Sequence, residues 1–357
     1  MKLLVSNKVL IMKPLMALVS FKQAKWCFFL CSLICSISFS SYAQKVVYPL
    51  SNDISSDLIT SIDSDSDGSD TVDMLNKMRE AVQNSDYKLY FVIQNENENP
   101  KSYEYTYIGS QSNKKGDLLY LEGSSKEIIL HDNIVSHFLT DSASFSIGAN
   151  HIVEAFPDVI YNNFDSLTPY YDFINLGKAR MANRSSQLIR IVPKDKDRYN
   201  YVIWIDDQNY LPLRIDLLDL DAKIISQTKV ILVDFNFDKQ QFANYIADRD
   251  YPILFPIDKQ VSHSYDWQAS WIPKGFKEIN AYSIDFHNVN IDTRRFSDGI
   301  FSFTINISPR SLSDVTYLSI QGDRTIYSTN YGKQNVIVIG NLPAETIKQI
   351  AHNLKLK

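Results

Sequence analysis

A series of short β-branched and aromatic segments, each ended by a polar turn, constrains the fold of this chain more than any other feature. The segments cover residues 188–192, 198–206, 211–218 and 224–235. β-Branched and aromatic residues favour strands, and strands joined by short polar turns form an antiparallel meander. The middle of the chain is therefore predicted to be an antiparallel sheet.

Both faces of this predicted sheet carry apolar bulk. Trp204 falls on the opposite face from Tyr201, Ile203 and Ile205, because side chains alternate along a strand. A sheet with apolar groups on both faces needs something packed against each of them. A helix, a second domain and a bound lipid are the candidates, and the function depends on which one is present.

The N-terminal region has the form of a secretory signal. An apolar run over residues 26–39 follows lysines and precedes small residues, which predicts a signal peptide over residues 1–43 with cleavage between Ala43 and Gln44. The run is shorter than the roughly 20 apolar residues of a membrane-spanning helix. A start at Met16 would give the signal a more ordinary length.

Cysteine use indicates the compartment. The chain has three cysteines, Cys27, Cys31 and Cys35. All of them lie inside the predicted signal, and the large residue before each one argues against a lipoprotein cleavage site. The mature chain would then have no disulfide, which suits a bacterial periplasmic domain better than a small secreted scaffold.

Composition and motifs argue against catalysis. Only 11 glycines are present and the net charge is -5, which disfavours nucleotide-binding loops and attraction to nucleic acid. The chain has no HExxH, GxSxG or P-loop motif. His131 and His137 flank one predicted strand, where ordinary imidazoles are favoured over a metal pair. We therefore predict no enzyme, no cofactor and no metal.

The segment over residues 44–71 is rich in Ser and Asp and is predicted to be a disordered acidic linker. Three aspartates and a glycine over residues 63–68 copy the first half of a calcium loop. Met74 stands where the loop would need a bidentate glutamate. The pattern therefore favours a solvated linker over a calcium site.

Residues 72–240 are predicted to form the first domain. An amphipathic helix over residues 72–84 precedes many short strands, a pattern typical of a curved antiparallel sheet or half-barrel. The aromatic-rich segment 157–175 interrupts the strands and is expected to cover the open mouth of the half-barrel.

Residues 265–357 are predicted to form a second, smaller domain. The strand pattern weakens over residues 241–264, which we assign to an interdomain linker. Further strands follow, and an apolar stripe over residues 343–354 predicts a terminal helix that covers one face of the second sheet. The predicted fold class is α+β and mostly antiparallel β.

The chain is unusually aromatic, with 21 Tyr and 19 Phe. A β-rich core accounts for this, and so does an apolar cleft for acyl chains or an extended peptide. The candidate cleft residues are Leu89, Phe91, Ile93, Phe164, Tyr201 and Ile203. Arg184, Arg190 and Arg198 belong to a basic set that is either a solvated sheet edge or a surface for an acidic partner.

An ordered series of short motifs runs through both predicted domains. The motifs are Arg198-Tyr199-Asn200-Tyr201, Trp204-Ile205-Asp206, Leu211-Pro212-Leu213, Trp271-Ile272-Pro273-Lys274-Gly275-Phe276, Phe296-Ser297-Asp298-Gly299, Tyr327-Ser328 and Val336-Ile337-Val338-Ile339-Gly340. In this order, from about residue 73 to 354, the series resembles the RseB/MucB family. Residues 73–123 diverge most, and the acidic linker is not part of the resemblance.

The resemblance implies a fold and a regulatory function. The first domain would resemble the lipoprotein carriers LolA and LolB, a half-barrel with a lipid-accommodating cleft. The protein would be a periplasmic regulator of an envelope-stress sigma factor. It would bind the periplasmic tail of a membrane-anchored anti-sigma factor and shield that tail from regulated proteolysis. Lipid or lipopolysaccharide fragments would release it. Besides these partners, a second copy of the chain is a candidate partner.

Trp271, Pro273 and Phe276 lie near the start of the second domain and are candidates for partner binding. A structural role between the two domains is the alternative for these three residues. A lipid or lipoprotein carrier is the alternative function, suggested by the half-barrel alone. The second domain argues against it, because simple carriers of this kind lack one.

Overall fold

The computed structural model describes residues 68–254, 267–286, 289–309 and 316–356. The predicted signal peptide, its cleavage site, the half calcium loop up to residue 67 and linker residues 255–264 lie outside the described residues. Within the described residues, no helix is both long and apolar enough to span a membrane.

The first sheet contains eleven antiparallel strands. They are β1 (Asp86–Asn95), β2 (Lys101–Ile108), β3 (Lys115–Tyr120), β4 (Lys126–His131), β5 (Ile134–Leu139), β6 (Phe145–Gly148), β7 (Tyr171–Met181), β8 (Arg184–Pro193), β9 (Asn200–Asp206), β10 (Pro212–Leu218) and β11 (Ile224–Asp234). Their spatial order is β6-β5-β4-β3-β2-β1-β11-β10-β9-β8-β7. Two meanders therefore meet where β1 pairs with β11, and the predicted meander is confirmed as β8 to β11.

The second sheet is smaller and ordered β13-β14-β15-β18-β17-β16. Its strands are β13 (Lys277–Phe286), β14 (Val289–Ser297), β15 (Ser302–Ser308), β16 (Tyr317–Gln321), β17 (Arg324–Tyr331) and β18 (Gln334–Gly340). A two-stranded sheet pairs β12 (Trp267–Ala269) with β19 (Leu354–Leu356). The second sheet and its two-stranded neighbour confirm that further strands follow the first domain.

Within the described ranges, three α-helices accompany the sheets: α1 (Gly68–Asn84), α2 (Lys239–Ala247) and α3 (Ala344–His352). Helix α1 begins four residues before the predicted position. Helix α2 occupies the start of the segment predicted as linker and buries Ile246. Helix α3 buries Ile347 and Ile350 and contacts β17 and β18, which makes it the cover predicted for the second sheet.

Helix α1 lies against one face of the first sheet. The burial of β1 alternates, with Leu89 and Phe91 buried in the same apolar core as Leu75 and Met78 of the helix. At the C-terminal end of α1, the Tyr87 hydroxyl donates to the carbonyl oxygen of Val82 at 3.1 Å. The core of the first domain therefore lies between this sheet face and α1.

The segment 157–175 adopts two structures. It begins with two 3₁₀ helices, Asp158–Tyr161 and Phe164–Leu167, which contact α1. From Tyr171 onwards it is the edge strand β7, which the sequence pattern missed. The register with β8 shifts between Asn175 and Gly177, and this bulge breaks the alternation that reveals a strand.

The central strands β9 and β10 are buried on both faces along their whole length. On one face, the Arg214 guanidinium lies 4.4 Å from the centre of the Trp204 ring and forms a bidentate ion pair with Asp216. The expectation that both faces of this sheet need packing is confirmed. The predicted α+β, mostly antiparallel class is confirmed as well.

Candidate functional site

The two sheets meet at a buried ion pair between Arg198 and Asp298. Arg198 follows the charged turn before β9, and Asp298 follows β14. Both side chains have no exposed surface, and Arg198 Nε donates to Asp298 Oδ2 at 2.7 Å. The remaining guanidinium nitrogens of Arg198 donate to Asp195 and to the backbone carbonyl oxygen of Lys274. One arginine thus connects three separate segments of the chain.

Asp298 organises its own turn as well as the junction. Its Oδ1 accepts hydrogen bonds from the backbone nitrogens of Ile300 and Phe301, at 3.0 and 2.8 Å. Its Oδ2 accepts from the Tyr171 hydroxyl and from Arg198. A buried carboxylate needs such compensation, because an unpaired buried charge is strongly destabilising.

Two glycines allow the close approach of the domains at this junction. Gly299 has φ +105°, and a Cβ there would lie 2.4 Å from Asn162 Oδ1. Asn162 donates to the Gly299 carbonyl oxygen at 2.9 Å. Gly275 has φ +90°, and its Cβ would lie 3.0 Å from the Tyr170 ring. A side chain at either position would strain the backbone and push the domains apart.

Aromatic rings complete the junction around the ion pair. Phe301 stacks on Tyr201 of β9 with ring centres 5.6 Å apart. Phe276 lies between the two domains, because its ring centre is 5.0 Å from the Arg198 guanidinium and 5.2 Å from the Phe303 ring. The turn that carries Asp298 and Phe301 is therefore inserted into the core of the first domain.

The electrostatics of the junction favour a single protonation state. Burial, and next the charge of Asp298, raise the pKa of Tyr171 well above its usual range. The phenol therefore stays protonated and donates to Asp298 throughout the physiological range. The junction can hold two domains in one orientation.

In the part of the chain that the structure describes, no group of three or more His, Cys, Asp or Glu could hold a metal ion.

The six predicted partner-binding residues divide between the junction and the sheet. Phe276 and Arg198 are buried in the junction, with Pro273 buried and Trp271 half-buried in the adjacent loop. Arg184 and Arg190 do not join them. They are six positions apart on β8, about 20 Å at the usual strand rise, and Arg184 pairs with Asp206. Their role in partner binding stays a prediction.

The predicted cleft residues share one continuous apolar core. Leu89, Phe91, Phe164, Tyr201 and Ile203 are each at most 4% exposed, and Ile93 packs against them while half-buried. In this structure they contact protein on the face that α1 and the 3₁₀ helices cover. Access for a lipid stays a prediction that requires these covering elements to move.

A second polar cluster lies on the outer face of the first sheet, under α2 and the residues that follow it. Glu127 accepts hydrogen bonds from Tyr245 and from Arg249. Asp117, on the strand next to that of Glu127, has a buried Oδ1 with no hydrogen-bond partner. Burial, and next the charge of Glu127, raise the pKa of Asp117 to about 7. This carboxyl group therefore titrates near neutral pH.

Sequence reasoning missed the roles of Asp298, Tyr171 and Asn162. Asp298 and Gly299 were quoted as part of a motif, without a function. A signal did exist, since three of the motifs contribute residues to one junction: Arg198 and Tyr201, the carbonyl oxygen of Lys274 with Phe276, and Asp298 with Gly299. Residues 100 positions apart meet here, and strand patterns do not report such contacts.

Fold and site together define a class: a two-domain, mostly antiparallel β protein whose distinctive site is a buried domain junction. Models of one family match both parts of the chain in order, the MucB/RseB N-terminal domain over residues 70–250 and the MucB/RseB C-terminal domain over residues 261–355. The chain belongs to the MucB/RseB family.

Individual relatives agree with this assignment. The sigma-E factor regulatory protein RseB of Haemophilus influenzae is 37% identical over 287 residues, 79% of this chain and 90% of that protein. RseB of Escherichia coli K12 is 31% identical over 285 residues, 79% of this chain and 89% of that protein. The solved complex of Pseudomonas aeruginosa MucA and MucB contains a chain with the same fold, with a TM-score of 0.65 at 20% identity, covering 81% of this chain and 99% of that one.

Proposed function

We propose that this protein is a periplasmic regulatory binding protein that binds the periplasmic tail of a membrane-anchored anti-sigma factor and shields it from regulated proteolysis. The observation that carries the proposal is that both family domains are present in order, over residues 70–250 and 261–355. The relatives are sigma-factor regulatory proteins, and the MucB structures include complexes with MucA.

The proposal includes export and the domain division. A signal peptide over residues 1–43 is removed, a half-barrel domain covers residues 72–240, and a second domain covers residues 265–357. The protein acts by occupying a surface and not by catalysis. Trp271 and Arg184 keep exposed surface and serve as direct contacts, whereas Arg198 and Phe276 act by orienting the two domains.

Release by lipid or lipopolysaccharide fragments is the second part of the proposal. The predicted cleft residues belong to the core that the turn at Asp298 and Phe301 enters. A lipid that entered this core would displace covering elements next to the junction. It would favour the form that does not bind the tail, and it would shift the equilibrium by its difference in affinity for the two forms.

The test measures binding of the mature chain to the purified periplasmic domain of the anti-sigma factor from the same genome. Calorimetry gives the affinity, and protection of that domain from its site-1 protease gives the consequence. Added lipopolysaccharide fragments are expected to weaken both signals. Absence of binding by the wild-type chain would refute the proposal, and extraction of acylated protein from membranes would favour the carrier function instead.

The contact role of Trp271 has its own variant. We expect Trp271→Ala to weaken binding about tenfold with little change in thermal stability. Ile231→Ala, at an exposed apolar position of the first sheet, is the matched control and should leave binding unchanged. A stability loss of about 3 kcal/mol or more with normal affinity would instead assign Trp271 a purely structural role.

A further inference from the structure

The two large sheets have four edge strands, β6, β7, β13 and β16. An edge strand directs unpaired backbone N–H and C=O groups outward, and natural proteins guard such edges with charges, bulges or covering segments. In the described part of the chain, three of these edges are guarded and one is left open.

Three of the edges are guarded. The backbone nitrogen of Ser146 in β6 donates to the Ile253 carbonyl oxygen at 3.2 Å, so a later segment covers that edge. Strand β7 has a bulge before Gly177, followed by the exposed charges of Lys178 and Arg180. Strand β13 has a bulge after Glu278. Each edge thus discourages the addition of another strand.

Among the described residues, strand β16 has no charge, no bulge and no covering segment. Its five residues, Tyr317-Leu318-Ser319-Ile320-Gln321, include no charge, no proline and no glycine, and its register with β17 has no bulge. Tyr317, Leu318 and Ile320 are 53%, 39% and 57% exposed. An uncharged, regular and apolar edge strand is a template for pairing with another strand.

Two of the exposed side chains of β16, Leu318 and Ile320, extend the core face of the second sheet. Leu318 lies opposite Tyr327 and Ile320 lies opposite Thr325, and both partners are buried. Tyr327 reaches α3, where its hydroxyl lies 3.0 Å from His352. The apolar face therefore continues past α3 onto β16, where it is exposed to solvent. An added strand with apolar side chains on this face would complete it.

The position and composition of β16 indicate what kind of segment would pair with it. The turn that joins β16 to β17 touches the first domain, because a Cβ on Gly322 would lie 3.4 Å from the Asn95 side chain. An extended segment along β16 would therefore run toward the junction of the two domains. The absence of charge on β16 matches a segment that is itself uncharged.

We propose that β16 is a strand-addition site for an extended, uncharged segment of the anti-sigma periplasmic tail, with apolar residues at alternate positions. This inference rests on the proposed function, and it names the surface and the backbone conformation of the bound partner. Main-chain hydrogen bonds would contribute affinity, and Leu318 and Ile320 would select the apolar residues of the tail.

The test places a charge on this edge and on a matched one. Ile320→Lys should weaken binding of the purified periplasmic tail domain about tenfold, because a lysine guards an edge strand. Ile279→Lys is the control, since Ile279 is 54% exposed on β13 at the opposite edge of the same sheet. The control should change affinity less than about twofold. Both variants should melt at the wild-type temperature.

A second experiment tests the backbone hydrogen bonds of the bound tail directly. Synthetic peptides that cover the tail are methylated at one backbone nitrogen at a time. Strand addition predicts that affinity falls at every second position, because alternate N–H groups face β16. A loss at every position, or at none within the binding segment, would refute strand addition.

The outcomes separate this inference from the proposed function. If the wild-type chain does not bind the tail, both are wrong. If the tail binds and Ile320→Lys behaves like Ile279→Lys, the proposed function stands and the site on β16 is wrong. If Ile320→Lys splits a wild-type dimer in light scattering while tail affinity is unchanged, the occupant of β16 is a second copy of the chain and the inference is overturned.

Discussion

Replacing Asp298 by alanine tests whether the buried ion pair holds the two domains together. The substitution leaves the Arg198 guanidinium buried without its carboxylate partner, and it removes the acceptor of the Tyr171 hydroxyl. The backbone nitrogens of Ile300 and Phe301 lose their acceptor as well. Four hydrogen bonds are therefore lost at a site without exposed side-chain surface.

The expected cost follows from burial. Removing one partner of a buried ion pair costs about 3–5 kcal/mol, because the remaining charge is left uncompensated. We therefore expect Asp298→Ala to lower the free energy of unfolding by about 4 kcal/mol. Adding Arg198→Met should restore about 2 kcal/mol or more, because the uncompensated charge is then absent. Tyr171→Phe removes one hydrogen bond and should cost about 1 kcal/mol.

The assay is urea unfolding of the mature chain, followed by circular dichroism and by tryptophan fluorescence. Asp172→Ala is the matched control, because Asp172 is 60% exposed and pairs with Lys194 at 3.5 Å. An exposed pair of this kind contributes at most about 1 kcal/mol. The reasoning is refuted if Asp298→Ala costs no more than Asp172→Ala, or if adding Arg198→Met only increases the loss.

Three further predictions concern stability. The pKa of Asp117 is raised from 3.8 to about 7 in the folded chain. As pH rises from about 4 to 7, the unfolded chain therefore loses this proton before the folded chain does. The free energy of unfolding should fall over this range by up to about 4 kcal/mol. In urea titrations at pH 4.5 and 7.5, Asp117→Asn should remove this difference in the free energy of unfolding. A variant with the same difference between the two pH values as the wild type would contradict the prediction. Gly299→Ala should lower the free energy of unfolding by about 2 kcal/mol more than Gly177→Ala. Both glycines have positive φ, but only at Gly299 would an added Cβ have a neighbour within 4 Å. Equal losses in urea unfolding would contradict the steric explanation. Phe276→Ala should lower the free energy of unfolding by about 3 kcal/mol or more, and a smaller loss in urea would mean that the ring does not join the domains.

Several strands of the first sheet could be predicted from the sequence, because residue type and spacing within a short segment are enough to indicate a strand. Short β-branched and aromatic segments ended by polar turns located β8 to β11, and the apolar stripe of α3 was readable in the same way. Strand β7 was missed because its bulge at Gly177 interrupts the alternation. Helix α2 was missed because it buries only Ile246, which is too little to produce a stripe.

The domain junction could not be predicted, because it is formed by contacts between residues far apart in the sequence. Arg198 was expected to be on a surface because its neighbours along the chain are charged, whereas Asp298 pairs with it from another domain. The exposure of β16 also needed the tertiary structure. Its sequence resembles that of a core strand, and only the sheet order shows that the strand lies at an edge, with exposed apolar side chains and no cover from the part of the chain that the structure describes.

The sequence by itself determined the strand content, the two-domain order, the family and the absence of familiar catalytic motifs, because residue preferences, alternation and motifs act over short stretches of chain. Only the tertiary structure decided that Arg198 is a buried connector, that the predicted cleft is filled in this state and that β16 is an edge strand left open by the described residues. Burial and pairing depend on which distant segments meet, and sequence spacing does not specify those meetings.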